Sequence, residues 1–401
     1  MQQADPGGGG AGPAAQGVQQ LRVGIMGTAN IARKNARAMH LSRRCALVAV
    51  ASRSLSKAEA FAAEVKAAKA YGSYDDLLAD VDVDAIYLPL PTMEHVKWVR
   101  LCAEAGKHVL LEKPVSVTME DLDEMAAVCA SHSVVLLDGL MFHHHDRLAR
   151  LVRELQDPFC GQVRSVHSSF SFRGDAEFLK SNIRVTEDGD PLGALGDLGY
   201  YNVRLSLLAV NAARGLPLGE AVVPSGPLSL PSRVYGTCTA WAGAHSSVPI
   251  ECQCRLEWEG DGGATATFDC SFLSAFRQHF EIVCLGGGGG GLGDKIFTCR
   301  DFVIPQSPSA CSFEVEVIPT GFPGTDHACR IVTSRDVITV ADCQQELLMF
   351  EEFARLAQDE RGGASPRAQA WLEWTRATQA VVCALRESMR QGGAAVRPAA
   401  E

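Results

Sequence analysis

The sequence of 401 residues has no apolar run approaching the roughly 20 residues that a membrane-spanning helix needs, so no such helix is expected. Its first 20 residues, with Gly7 to Gly10 and Pro13, lack both the basic and the apolar stretch of a secretory signal and read as a disordered tail. Basic clusters are missing too. With 37 basic against 47 acidic residues and a net charge of -10, the chain is a poor partner for nucleic acid or any other polyanion. The 14 cysteines show no paired Cys-x-x-Cys spacing and no compact framework, which argues against zinc and disulfides. They read instead as buried, reduced thiols of a cytoplasmic protein.

What is present is a hydrophobic fraction of 47%, enough for a large core, over a length that points to two domains. Residues 21–140 repeat the order strand, helix, strand, helix, the pattern of a doubly wound α/β nucleotide-binding domain. Leu21 to Met26 reads as a strand, and Gly27-Thr28-Ala29-Asn30-Ile31-Ala32 opens a helix running to about His40. This is a G-x-A-x-x-A form of the dinucleotide fingerprint, with Gly27 in the tight turn and Ala32 at the helix-to-strand contact. Gly27, Thr28, Ala29, Asn30 and Ile31 are therefore the candidates for cradling a pyrophosphate. Ala29 stands where the fingerprint has its second glycine, so the plainer reading of an ordinary strand-to-helix turn stays open at this point.

A second absence follows. No acidic residue occurs between Arg33 and Ala58, although an NAD site usually places a carboxylate at the end of the second strand, here Leu47 to Ala51. Ser52 and Arg53 stand there instead, followed by Lys57, and a hydroxyl with cationic groups suits the 2'-phosphate of NADP. The third strand, Asp84 to Leu88, runs into Pro89-Leu90-Pro91, and His95 begins the next helix. Leu90, Pro91 and His95 are candidates for the nicotinamide end of the cofactor.

The apolar run His108 to Leu111 ends in Glu112-Lys113-Pro114. As a buried parallel strand it would deliver Glu112 and Lys113 to the carboxyl edge of the sheet, where ligands bind in open α/β folds. A lysine partly desolvated there is a candidate for proton transfer. Thr118 is expected to cap the next helix, to Ala130, and Val134 to Leu137 to close the sheet.

Fingerprint, Ser52-Arg53, Pro89-Leu90-Pro91 and Glu112-Lys113-Pro114, in this order, make the chain resemble the Gfo/Idh/MocA family, which includes glucose-fructose oxidoreductase, inositol dehydrogenase and dihydrodiol dehydrogenase. The resemblance extends from residue 21 to about 390. Within the family, Ala51-Ser52-Arg53-Ser54-Leu55, Phe170-Ser171-Phe172, Ile183-Arg184-Val185, Gly193-Ala194-Leu195-Gly196-Asp197 and Asp301-Phe302-Val303-Ile304-Pro305 look most like an uncharacterised plant oxidoreductase group. A relation to NADP-dependent xylose and dihydrodiol dehydrogenases is also visible. The resemblance implies a second domain, residues 141–391, with an open, mainly antiparallel sheet that backs the active site and forms a homodimer interface. Residues 392–401 read as a second disordered tail.

Strands at Val163 to Phe172, Ser232 to Trp241, Ile250 to Glu259, Ala264 to Ser271 and His279 to Leu285 fit that sheet from their own patterning. Asp197 and Tyr201, four apart, share one face of a helix beginning near Gly196. The resemblance implies that Asp197 orients a substrate hydroxyl and that Tyr201 shares proton transfer with Lys113. His144 and Arg184 are candidate residues of the substrate wall. His143-His144-His145 has no second ligand cluster at suitable spacing, so no metal is expected. Gly286 to Gly291 lacks the lysine and helix of a phosphate loop and reads as an expanded hairpin before a strand at Asp294 to Phe297. Two amphipathic helices, Asp342 to Gln358 and Gln369 to Gln391, complete the pattern.

The sequence thus points to an NADP-dependent oxidoreductase acting on a small carbohydrate-like substrate. A cofactor-binding sensor or scaffold without turnover is the alternative.

Overall fold

The computed structural model describes residues 19–219, 222–260, 263–286, 293–307, 310–318, 334–359 and 361–399. Six parallel strands form the first sheet: β1 (Leu21–Met26), β2 (Cys45–Ala51), β3 (Lys69–Tyr71), β4 (Ala85–Leu88), β5 (His108–Leu111) and β6 (Leu136–Asp138), in the order β3-β2-β1-β4-β5-β6. The helices between them are α1 (Asn30–Leu41), α2 (Leu55–Val65), α3 (Tyr74–Ala79), α4 (His95–Glu104) and α5 (Met119–Ser131). β4 and β5 are buried almost throughout, as apolar strands covered on both faces must be. Thr118 caps α5 by accepting a hydrogen bond from the Asp121 amide at 3.2 Å. The winding reverses between β1 and β4, which opens a crevice at their carboxyl ends. The Gly27 turn, the Pro89 to Pro91 loop and Lys113 all leave the sheet at that edge.

The chain then passes a 3-10 turn (Met141–His144) into α6 (Asp146–Leu155) and builds a second sheet of eight strands. These are β7 (Gln162–Arg173), β8 (Arg233–Trp241), β9 (Pro249–Glu257), β10 (Thr265–Ser271), β11 (Leu273–Leu285), β12 (Asp294–Cys299), β13 (Cys311–Ile318) and β14 (Ser334–Val340), ordered β14-β13-β12-β11-β7-β10-β9-β8. Among the described strands only the β7–β10 pair is parallel, so the sheet is mainly antiparallel, as expected. Between β7 and β8 lie α7 (Ala176–Ser181), a π-helical turn (Leu195–Gly199) and α8 (Tyr200–Ala213). α9 (Gln345–Ala357) and α10 (Pro366–Arg390) follow the last strand.

α8 is buried along nearly its whole length, and its Arg204 lies fully inside, bonded to Asp138 at 2.6 Å, Thr378 at 2.6 Å and His143 Nδ1 at 3.0 Å. That group joins the end of β6, α8 and α10. α9 returns to the first sheet, where Glu346 meets Lys34 at 2.5 Å and Glu351 accepts from Ser42 at 2.5 Å.

One sequence expectation changes, at the C-terminal end. Most of the first tail (1–18) lies outside the described residues, as do residues 287–291 of the glycine run; Gly286 donates to Asp294 at 3.0 Å and β12 starts there. The second tail, expected to be disordered, runs back along β8. Val396 exchanges two backbone hydrogen bonds with Val234, at 2.8 and 3.0 Å, because the edge strand offers unpaired groups.

Candidate active site

Lys113 follows directly on β5, and its peptide bond to Pro114 is cis. Its ammonium donates to the Asp197 carboxylate at 2.7 Å and to the Asp197 backbone carbonyl at 2.9 Å. An ammonium has three donors, so one remains for the cleft. Both side chains keep only 11% of their surface. The same carboxylate oxygen takes Arg184 Nε at 2.9 Å. Burial alone would raise the Asp197 pKa, but Arg184 and Lys113 outweigh it and hold the carboxyl well below its usual range. Asp197 is therefore a fixed anion between two cations.

The π-helical turn brings Asp197 and Tyr201 to one wall, packed close against the second sheet at Gly199. The Tyr201 ring lies under Lys113, with the ammonium 5.2 Å from its centroid, while its hydroxyl points to Met141 Sδ at 3.3 Å. Lys113 and Tyr201 thus share the cleft without a direct hydrogen bond. Burial, then the nearby Glu112 and Asp197 carboxylates, push the Tyr201 pKa well up, so it stays a neutral phenol. Glu112 accepts from Tyr87 at 2.5 Å and Asn35 at 3.4 Å, and burial raises its pKa against the pull of Lys113.

These groups open on a cleft of about 820 Å³ between the two sheets. Of the residues singled out in the sequence, Ala29, Asn30, Ile31, Leu90, Pro91, Glu112, Lys113, Arg184, Asp197 and Tyr201 line it. Gly27 and Thr28 form the turn just before α1. Gly27 has φ +106°, a backbone conformation that side chains rarely adopt, so the turn favours glycine there. Ser52, Arg53 and Lys57 lie beyond the lining, around the end of β2 and the first turn of α2; Arg53 is exposed and has no carboxylate partner among the described residues.

Two expected site residues lie elsewhere. His95 is buried, its two ring nitrogens 3.0 and 2.9 Å from the Val115 and Leu90 carbonyls, so it braces the loop instead of facing a ligand. His144 stacks on Trp371 with centroids 4.5 Å apart and does not reach the cleft. Its neighbours are equally occupied: His143 accepts from Arg204, and His145 caps α6 through the Arg147 amide at 3.0 Å. No group of three potential metal ligands stands together among the described residues.

The sequence reading missed other lining residues. Asp190 is buried beside the Lys113, Asp197 and Arg184 cluster, and its pKa is pushed up to about 7 by burial and then by the Asp197 carboxylate. Its Asp-Pro step before Gly193 was the available signal. Lys34 and Glu346 also border the cleft as an ion pair from distant parts of the chain. Asp175, Glu177 and Phe178 of the α7 region close its far side.

A switch-point crevice with a glycine turn at one end and a clamped lysine at the other is the arrangement of a dinucleotide-dependent oxidoreductase. Residues 21–140 match the oxidoreductase family with an NAD-binding Rossmann fold. The chain is 34% identical over 267 residues to D-xylose 1-dehydrogenase (NADP(+)) 2 of Haloferax volcanii, covering 67% of this chain and 74% of that protein. It is 33% identical over 168 residues to trans-1,2-dihydrobenzene-1,2-diol dehydrogenase of Mus musculus, covering 42% of this chain and 49% of that one. The crystal structure of aldose-aldose oxidoreductase from Caulobacter crescentus superposes with a TM-score of 0.69 over 94% of this chain and 100% of the other, at 18% identity, a likeness of fold alone. The chain belongs to the Gfo/Idh/MocA family of oxidoreductases.

Proposed function

We propose that the protein is an NADP-dependent enzyme that moves a hydride between nicotinamide C4 and a carbinol carbon of a sugar, polyol or cyclic diol. The observation that carries this reading is Lys113, held 2.7 Å from Asp197 in the cleft on which the α1 N-terminus also opens.

The residues present fit the cofactor. α1 has no capping side-chain bond and no acid in its first turn, so its amide donors and dipole are left for a pyrophosphate. Ser52 and Arg53, which has no carboxylate partner among the described residues, suit a 2'-phosphate. Bound NADP supplies the hydride acceptor or, reduced, the donor. This chain's groups do the rest. The third donor position of Lys113 meets the substrate hydroxyl, and proton exchange takes place at Nζ. Tyr201, kept neutral, hydrogen-bonds the same oxygen and shares its proton. Asp197 fixes the lysine, and Arg184, with 37% of its side-chain surface exposed, reaches a neighbouring hydroxyl. The names of the xylose and diol relatives support the substrate class. A homodimer through the second sheet, where Trp241, Leu273 and Phe276 are exposed, and a cytoplasmic location suited to its free thiols, belong to the same reading.

The test is a screen of D-xylose and other aldoses, polyols and trans-dihydrodiols with NADP or NAD, followed by cofactor absorbance. Turnover with NADP on at least one of these classes is expected. Turnover confined to NAD, or none across the panel by protein that binds NADP, contradicts the proposal.

A further inference from the structure

Three cysteines lie in one row across the second sheet. Cys238 of β8 stands opposite Cys252 of β9, and Cys252 stands opposite Cys270 of β10. All three point to the inner face, the side on which Gly236 of β8 packs so close to α10 that a Cβ would lie 2.6 Å from the Leu385 carbonyl. Directly opposed residues of antiparallel strands have Cα atoms about 4.5 to 5.5 Å apart, inside the roughly 4.4 to 6.8 Å that a disulfide accepts. Cys252 and Cys270 are fully buried, but Cys238 lies on the edge strand and is only half-buried.

The row has a chemical gradient and a destination. β8 bulges after Cys238, whose thiol lies 3.0 Å from the Ala240 carbonyl. The neighbouring Cys252 thiol favours the thiolate form of Cys238, whereas the Cys238 and Cys270 thiols, and then burial, keep Cys252 protonated. At the other end, Cys270 Sγ lies 3.3 Å from where a Cβ on Gly199 would stand. Gly199 sits between Asp197 and Tyr201 on the π-helical turn.

We propose that Cys238 and Cys252 are a dithiol oxidised by hydroperoxides, and that Cys270 can take over the cross-link by exchange beside the turn carrying Asp197. The Cys238 thiolate attacks the peroxide O–O bond, giving a sulfenic acid and releasing the alcohol, or water from hydrogen peroxide. Cys252 sulfur then displaces the sulfenic oxygen as water, using its own proton. Two thiols and one hydroperoxide become one disulfide, one alcohol and one water. Attack of Cys270 on Cys252 releases Cys238 with no net redox change. Drawing Cys270 towards β9 takes its sulfur off Gly199 and loosens the turn.

The experiment treats the full chain with low equivalents of hydrogen peroxide, alkylates remaining thiols after denaturation and maps peptides by mass. A cross-link of 238 to 252, or 252 to 270, lighter by two hydrogens, is expected before any link involving the buried pair Cys160 and Cys284. In Cys252→Ser, Cys238 should be trapped as a sulfenic acid by dimedone. Deuterium uptake across Leu195 to Tyr201 should rise on oxidation and return with dithiothreitol. Full recovery of alkylated Cys238 and Cys252, or Cys160 and Cys284 linking first, overturns the dithiol. A cross-link with unchanged uptake at that turn overturns the coupling to the site. Neither readout depends on knowing the substrate, so they stand apart from the proposed reaction.

Discussion

Arg53 and Asp190 show what single residues contribute. Arg53 stands at the end of β2 where an NAD site would place an acid, and a charge-assisted bond from it to a phosphate is worth about 1.5 to 3 kcal/mol, roughly ten- to a hundredfold in affinity. Calorimetry should therefore give at least about tenfold preference for NADP over NAD, lost in Arg53→Ala; equal affinities in the wild type contradict the assignment. Asp190 behaves differently because burial holds its pKa up to about 7. Its folded pKa lies above the unfolded value, so its contribution is present at low pH and is lost as pH rises from about 4 to 7. Asp190→Asn keeps an acceptor for the Leu192 amide, which Asp190 now bonds at 3.2 Å, and removes that loss. The variant should melt higher than wild type at pH 8, by an upper bound of about 4 kcal/mol, with no gain at pH 4. A gain equal at both pH values means that ionisation of Asp190 is not its source. Lys113 was legible from its strand and proline; Asp190 was not, because its strong burial comes from segments distant in the chain.

At the level of elements, the stretch between β6 and α6 changes meaning on folding. Three adjacent histidines look like ligands in sequence, yet each is absorbed by a different neighbour: Arg204, Trp371 and the α6 amide. Burial pushes the His144 pKa down to about 4. A lowered folded pKa gives stability that is complete above about 6.5 and lost as pH falls towards 4, the opposite sign to Asp190. His144→Phe retains a ring for Trp371 and should flatten the acid limb of Tm against pH; an unchanged limb excludes this histidine as its cause. Protein purified without a histidine tag should hold clearly less than one equivalent of zinc, iron or nickel, whereas an equivalent removed by His144→Ala contradicts the packing account. Many strands and helices were readable because period-two and helical patterns survive folding, but β13 and β14 were not read from the sequence. β3, with three residues, was too short for such a pattern.

The whole molecule brings its candidate site residues together by closing two sheets on one cleft. The first wall follows from the order of β1, β4 and β5, each of which ends in a legible signal: Gly27, Pro89 and Lys113. The second wall depends on how the later chain returns. Glu346 lies on α9, more than 300 residues after Lys34, yet the two meet at 2.5 Å. Such a pairing has no local sequence mark. The same closure separates an enzyme from a cofactor-binding sensor, since only the enzyme needs the Lys113 amine in contact with a reacting hydroxyl.

Lys113→Met, measured for both cofactor binding and turnover, tests that difference most directly. Methionine keeps much of the side-chain volume and removes the proton-transferring group. NADP affinity should change little, while turnover on any substrate found should fall by about 10² to 10⁴, the usual contribution of general acid-base catalysis. Tyr201→Phe should also slow turnover, and the double variant should lose less than the product of the two single losses, because both act on one oxygen. Near wild-type turnover by Lys113→Met would contradict the proposed chemistry.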